Sequence, residues 1–451
     1  MSLFRTIIYS CIVVTLSTGM VLGEDEPGQA SVKLTPTGFA SYEIGQIVKA
    51  NPQTTQALEF QTEHLLYQKS YVGFNLLASY TPLPITTNIG VELKSFNETP
   101  RKSVVAGDNG LAVRFFYFFY LTRADFLYSK SEGFNLDVGY FPLKYDDNAR
   151  NLGEYLFRSG TYPQYLISNF DFAAARVTGI NAFGTLFGNL NYKALLTINT
   201  EGATMGDLNL TGIAAYSVFN KFLEIGAGVS FCSLISANSN HTHPPKSDAS
   251  NPSDWYIDNG DTNTYTFAGT KLMGKLSIDP KVFFRSDIFG KEDLKIYAEA
   301  AILGVKNYPV SIDTSTLGTR YDDLGKRIPI MFGVNVPTFK FLDVLSLEAE
   351  WFGNPFPNDM STFVVNGIPM SVSSKWGNGS GSFYADSTAD NWKWSIYAKK
   401  TFAGHFNAVV QVASDHYRWD KFGYQDQANM MTEALTQPRH FYYVAKLGYC
   451  F

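Results

Sequence analysis

The chain is predicted to be all-β, a transmembrane antiparallel β-barrel of about 16 strands (14–18) with short periplasmic turns and long external loops. Three observations predict it. Apolar and polar residues alternate with period two through most of the sequence. The links between alternating segments are short and long in turn. The composition is aromatic without being hydrophobic: 15% Phe, Trp and Tyr, with 36 Phe and 27 Tyr, at a mean hydropathy of −0.09. Such a chain must separate its apolar groups on a fine scale, as two-faced strands do.

Residues 1–23 read as an export signal. Arg5 is the positive start, 6–21 is apolar, and Val21-Leu22-Gly23 precedes a cut at Glu24. Cys11 lies inside the apolar stretch, which speaks against lipid attachment. The remainder, 24–451, is read as one barrel domain. It has no second run of about 18 apolar residues, so helical spans are excluded. Charged residues make up 17% of the chain, below the usual share of about 25%. A formal charge of −5 argues against nucleic acid as a partner.

Alternation recurs along the chain. Phe134, Leu136, Val138 and Tyr140 oppose Asn135 and Asp137. Leu190, Tyr192, Ala194, Leu196 and Ile198 oppose Asn191, Lys193 and Thr197. Leu294, Ile296, Ala298, Ala300 and Ile302 oppose Lys295, Tyr297 and Glu299. Leu345, Leu347, Ala349 and Trp351 oppose Val344, Ser346, Glu348 and Glu350. Trp392, Trp394, Ile396 and Ala398 oppose Lys393, Ser395, Tyr397 and Lys399. A lysine in mid-membrane facing lipid costs about 2–4 kcal/mol, so the polar face of each segment should line the lumen. These segments exceed the usual five or six residues of soluble strands, and Trp351, Phe352, Trp392 and Trp394 sit near segment ends, as an interfacial girdle does.

Short links fall near 81–86, 122–132, 185–187, 220–221, 280–290, 338–341 and 403–404. Long links fall near 50–56, 98–110, 145–168, 200–207, 235–263, 305–326, 354–391 and 418–438. Their alternation joins sixteen strands with both termini on the short-turn side. Residues 57–80 are read as one strand with a bulge near Gln68 and Lys69. Cys232 and Cys450 then lie at opposite ends of the barrel, and no bridge is expected.

At the chain end, Phe441, Tyr443, Ala445, Leu447, Tyr449 and Phe451 alternate and finish on an aromatic. This resembles the C-terminal signal of Gram-negative outer-membrane proteins, with Phe441, Tyr443, Leu447, Tyr449 and Phe451 as its carriers. With the strand pattern, the chain resembles the porins. The resemblance implies an outer-membrane location, the barrel-assembly machinery as a partner, contact with outer-membrane lipid, and passive passage of small hydrophilic solutes or ions. It is compatible with a homotrimer. It also implies that 145–168, the third external loop, folds inward and narrows the pore. Asp146, Asp147 and Glu154 would then face basic wall residues Arg114, Arg176 and Lys193, with Arg150 and Arg158 on the same loop. Ala149 to Phe157 is expected as a short helix, ended near Ser159 and Gly160.

No enzyme chemistry, cofactor or metal is expected. Asp415 and His416 should point to opposite strand faces, which prevents a dyad, and His241 with His243 is two ligands short of a tetrahedral site. A wide barrel leaves an aqueous channel. Two alternatives stand beside the general channel. A substrate-specific one, for instance for oligosaccharides, would use Tyr397, Tyr297, Phe116 and Phe118 as stacking rungs. A surface-adhesion barrel would use loop 354–391 with its Trp376-to-Gly381 stretch.

Overall fold

The computed structural model describes residues 21–22, 31–50, 53–54, 59–60, 63–101, 112–157, 175–200, 205–237, 255–258, 261–264, 268–284, 287–306, 324–354, 390–417, 435 and 437–451. Sixteen strands form the wall: β1 (Ser31–Lys49), β2 (Leu66–Thr81), β3 (Ile85–Arg101), β4 (Ala112–Ser131), β5 (Phe134–Leu143), β6 (Ala175–Leu186), β7 (Leu190–Ile198) and β8 (Leu208–Val218), followed by β9 (Leu223–Ile235), β10 (Gly269–Ile278), β11 (Ile296–Ile302), β12 (Ile330–Asn335), β13 (Val344–Asn354), β14 (Asp390–Phe402), β15 (Phe406–Ser414) and β16 (Phe441–Cys450). Each pairs antiparallel with the next, and β16 returns to β1, with Phe39 opposite Cys450 and Gln46 opposite Tyr443. The ring is closed. Closure gives every strand two partners, which a lipid surroundings requires because lipid offers the backbone no hydrogen bonds. The two-residue strand Val21–Leu22, within the expected export signal, adds to β1 at Val32 and Lys33.

The two faces follow the alternation. Leu347, Trp351, Trp392, Ile396, Val410 and Leu447 are exposed on the outside, while Ser346, Glu348, Glu350, Lys393 and Ser395 are buried on the inside. The tight turns sit at one end, after β2, β4, β6, β8, β12 and β14. In the three-residue turns at 187–189 and 403–405 the first two residues, Phe187-Gly188 and Ala403-Gly404, have positive φ, the mirror-image turn conformation that matches the twist of the flanking strands.

Two expectations need correction. β2 has no bulge at Gln68 and Lys69. Its register runs unbroken against β1 and β3, because Lys69 keeps the inward phase of Tyr67 and Tyr71 and pairs with Glu43 at 3.7 Å. Glu59–Phe60 belongs instead to a separate pairing with Gln53–Thr54. The expected link 122–132 is mostly strand: β4 continues to Ser131, with its register shift opposite Gly90 and Val91.

A strap across the lumen

After Leu143 the chain turns inward, and residues 144–157 form a strap inside the barrel. The expected helix over Ala149 to Phe157 is absent; the segment consists of bends and turns. The reason is where its N–H groups go. Those of Arg150, Asn151 and Leu152 donate to Glu348 of β13, the last two at 2.8 and 2.9 Å. Those of Glu154 and Tyr155 donate to Glu299 of β11 at 2.8 and 2.9 Å. A helix over 149–157 would need the N–H groups of Glu154 and Tyr155 for its own carbonyls. Gly153 and Glu154 also have positive φ, +81° and +59°, which breaks a right-handed helix.

Side chains complete the seating. The Tyr145 hydroxyl donates to Glu299 at 2.6 Å and that of Tyr155 to Glu350 at 2.8 Å. Burial pushes both phenols well above their ordinary pKa, so they remain donors. Tyr297 donates to Glu348 at 2.8 Å from the wall side. Its ring lies over Gly333, where a Cβ would collide with it. Lys275 donates to the Tyr145 carbonyl at 3.1 Å, and Lys193 to that of Lys144. Arg150 reaches Glu292, in the connection between β10 and β11, at 2.7 Å. Beneath these bonds, Leu152, Leu156 and Phe157 pack with Val177, Leu195, Ile213, Met273 and Met331 in one dry cluster.

The strap therefore runs from β5 to β13, which stand eight strands apart in a ring of sixteen. At its far side Asn151 donates to Asp415 at 2.6 Å, and Tyr442 of β16 donates to the same carboxylate at 2.8 Å. His416 meets Glu350 at 2.7 Å. Asp415 and His416 lie past the end of β15, so strand alternation no longer governs them and both side chains turn to lumenal partners. That corrects the expectation of opposite faces. Behind them Tyr67, Phe96, Tyr417, Leu435 and Tyr442 form a second apolar cluster on the β1–β3 and β16 side.

The sequence-predicted residues fall out as follows. Glu154 is buried and accepts the strap's own N–H groups from Tyr145 and Asp146, at 2.8 and 3.0 Å. Asp146 is buried and accepts from Asn148 at 3.0 Å. Asp147 is exposed. Arg150 and Lys193 join the strap as described. Arg176 pairs with Pro142 in the wall, and its side chain is half-buried, hydrogen-bonded to Tyr140 and within electrostatic reach of the buried Glu92. Arg114 pairs with Glu98 in the wall, but its side chain lies outside the described residues, as do Phe116, Phe118, Arg158, His241, His243 and the Trp376-to-Gly381 stretch. Phe441, Tyr443, Leu447 and Tyr449 hold their places in β16, and Phe451 exchanges two backbone bonds with Gly38 at 2.9 and 3.0 Å. The residues that seat the strap, Glu299, Glu348, Glu350 and Tyr297, were visible only as polar members of inward rows. Carboxylates repeated on one such row, as Glu348 and Glu350 are, were the available signal.

No family model and no curated protein sequence matches the chain. Among solved structures it is similar to a mutant of the Rh. blastica porin, at 9% identity over 93% of this chain and 100% of that one, TM-score 0.43. It is similar to Salmonella typhi OmpF in complex with daunomycin, at 13% identity over 93% and 98%, TM-score 0.45. The outer membrane channel DcaP of Acinetobacter baumannii aligns at 11% identity over 95% and 99%, TM-score 0.41.

Proposed function

We propose that the protein is a porin-like channel of a bacterial outer membrane, exported by residues 1–23, through which small hydrophilic solutes or ions diffuse. The strap at 144–157 acts in it as a constriction. The observation that carries this reading is the strap itself: a loop seated inside a closed ring, bonded to the far wall, in a lumen whose inward rows bear charged and amide side chains. A barrel of this strand number is too wide for its own side chains to fill, and a loop across it sets the width that remains.

Swelling of proteoliposomes tests the reading. Vesicles holding the full-length protein should swell in isotonic small sugars, with rates that fall steeply as solute size rises. Folded protein that gives no more swelling than empty vesicles would reject passive diffusion.

A further inference from the structure

We propose that a recess at the short-turn end of β5–β9 binds an uncharged, polyhydroxylated ligand, a saccharide. The assignment rests on the channel reading for its orientation, which takes the short turns as periplasmic. The recess has a volume of about 950 Å³, at the upper end of the 300–1,000 Å³ typical of small-molecule sites. Asn135, Phe183, Thr185, Asn191 and Ser217 line it from four strands, and Asn189 and Asn220 from two turns.

The lining suits hydroxyl groups rather than charges. The Thr185 hydroxyl donates to Asn191 Oδ1 at 2.7 Å. That fixes the amide and leaves its NH2 without a partner among the described residues. The Asn189 and Asn220 side chains are likewise unengaged among the described residues. Three amides thus offer donors and acceptors together, which a sugar hydroxyl can use in both senses. Asn135 is held in place by a bond from its Nδ2 to the Phe183 carbonyl at 3.3 Å. The Phe183 ring supplies an apolar face for the C–H side of a sugar. The two charges in the lining, Glu132 and Lys221, have opposite sign, so the recess gives a charged ligand no net attraction. Further along the same strands Val177, Leu195 and Ile213 belong to the dry cluster under the strap. The recess therefore faces the short-turn end, where the ligand is either a free oligosaccharide or the glycan of the cell wall.

Calorimetric titration of the full-length protein in detergent tests this with three probes: maltotriose, purified cell-wall glycan strands and orthophosphate. Binding of either saccharide supports the proposal, and which of the two binds identifies the source. Asn191→Ala and Phe183→Ala should weaken that binding tenfold or more. Thr185→Val, which keeps the side-chain shape and loses the bond to Asn191, should weaken it several-fold. Orthophosphate should give no heat. The proposal is overturned if neither saccharide binds, if orthophosphate binds as well as they do, or if all three variants bind as the wild type does. Conductance of the same preparation in sugar-free salt separates the two readings. Current without saccharide binding sinks the recess alone, and saccharide binding without current sinks the channel alone.

Discussion

Glu348 accepts three consecutive backbone N–H groups from the strap and a hydroxyl from Tyr297. Each donor left without an acceptor in a buried setting costs about 1–3 kcal/mol, and water admitted to the lumen reduces that cost. Glu348→Ala should therefore lower the thermal unfolding midpoint of the detergent-solubilised barrel by several degrees, whereas Glu348→Gln, which keeps one acceptor oxygen, should lower it less. Calorimetry on both variants checks the order; equal midpoints for both variants and the wild type would show that the strap does not depend on this carboxylate. Tyr297→Phe removes one hydroxyl and leaves the ring over Gly333, so a loss of about 1 kcal/mol is expected. At this scale the sequence was only half legible. Alternation put Glu299, Glu348 and Lys193 on inward rows, but it could not say that a loop would come to meet them. The loop acids Asp146 and Glu154 accept N–H groups of the strap itself, and Glu154 and Asp147 lie within electrostatic reach of Lys193, one of the basic wall residues expected opposite them.

The strap and the strands obey different rules. A strand's faces are fixed by its phase, and phase can be read from residue order. Lys393 was thus legible as inward-facing, while the unbroken phase of β2 through Gln68 and Lys69, where a bulge was expected, was not, because it is fixed by pairing with β1 and β3. The strap has no periodicity of its own. A local preference for helix over Ala149 to Phe157 yields to wall carboxylates far away in sequence. Two predictions belong here. Replacing 146–153 with a Gly/Ser linker of equal length should raise single-channel conductance at least twofold, since the side-chain anchors of Arg150 on Glu292, Asn151 on Asp415 and Leu152 in the apolar cluster are lost and a flexible linker no longer holds its N–H groups in place on Glu348; unchanged conductance would remove the strap from the permeation path. Leu347→Lys, on the outer row of β13, should destabilise the bilayer-inserted barrel by about 2–4 kcal/mol in reversible urea unfolding, and the adjacent inward Ser346→Lys by less. Equal costs would mean that the two faces are assigned wrongly.

The whole molecule is held by closure. β1 and β16 come from opposite ends of the chain, yet they pair along most of their length, and Phe451 completes the seam on Gly38. Deleting Phe451 removes two backbone bonds and the ring that covers Gly38, so the yield of folded protein on refolding should fall; refolding unaffected by the deletion would leave the terminal residue no part in assembly. Sixteen strands, their ends on one side in short turns and on the other in long loops, were legible because strand phase and link length are local properties. The contents of the lumen were not, because they depend on contacts between segments more than a hundred residues apart, such as Asn151 with Asp415.

The central claim is that this closed wall surrounds a water-filled path that the strap narrows without sealing. Planar-bilayer recording of the purified full-length protein measures that directly. Stable current steps of uniform size that scale with salt concentration and grow in the strap-linker variant are the predicted result. Correctly folded barrels that insert into the bilayer and carry no current, with or without the strap, would contradict it.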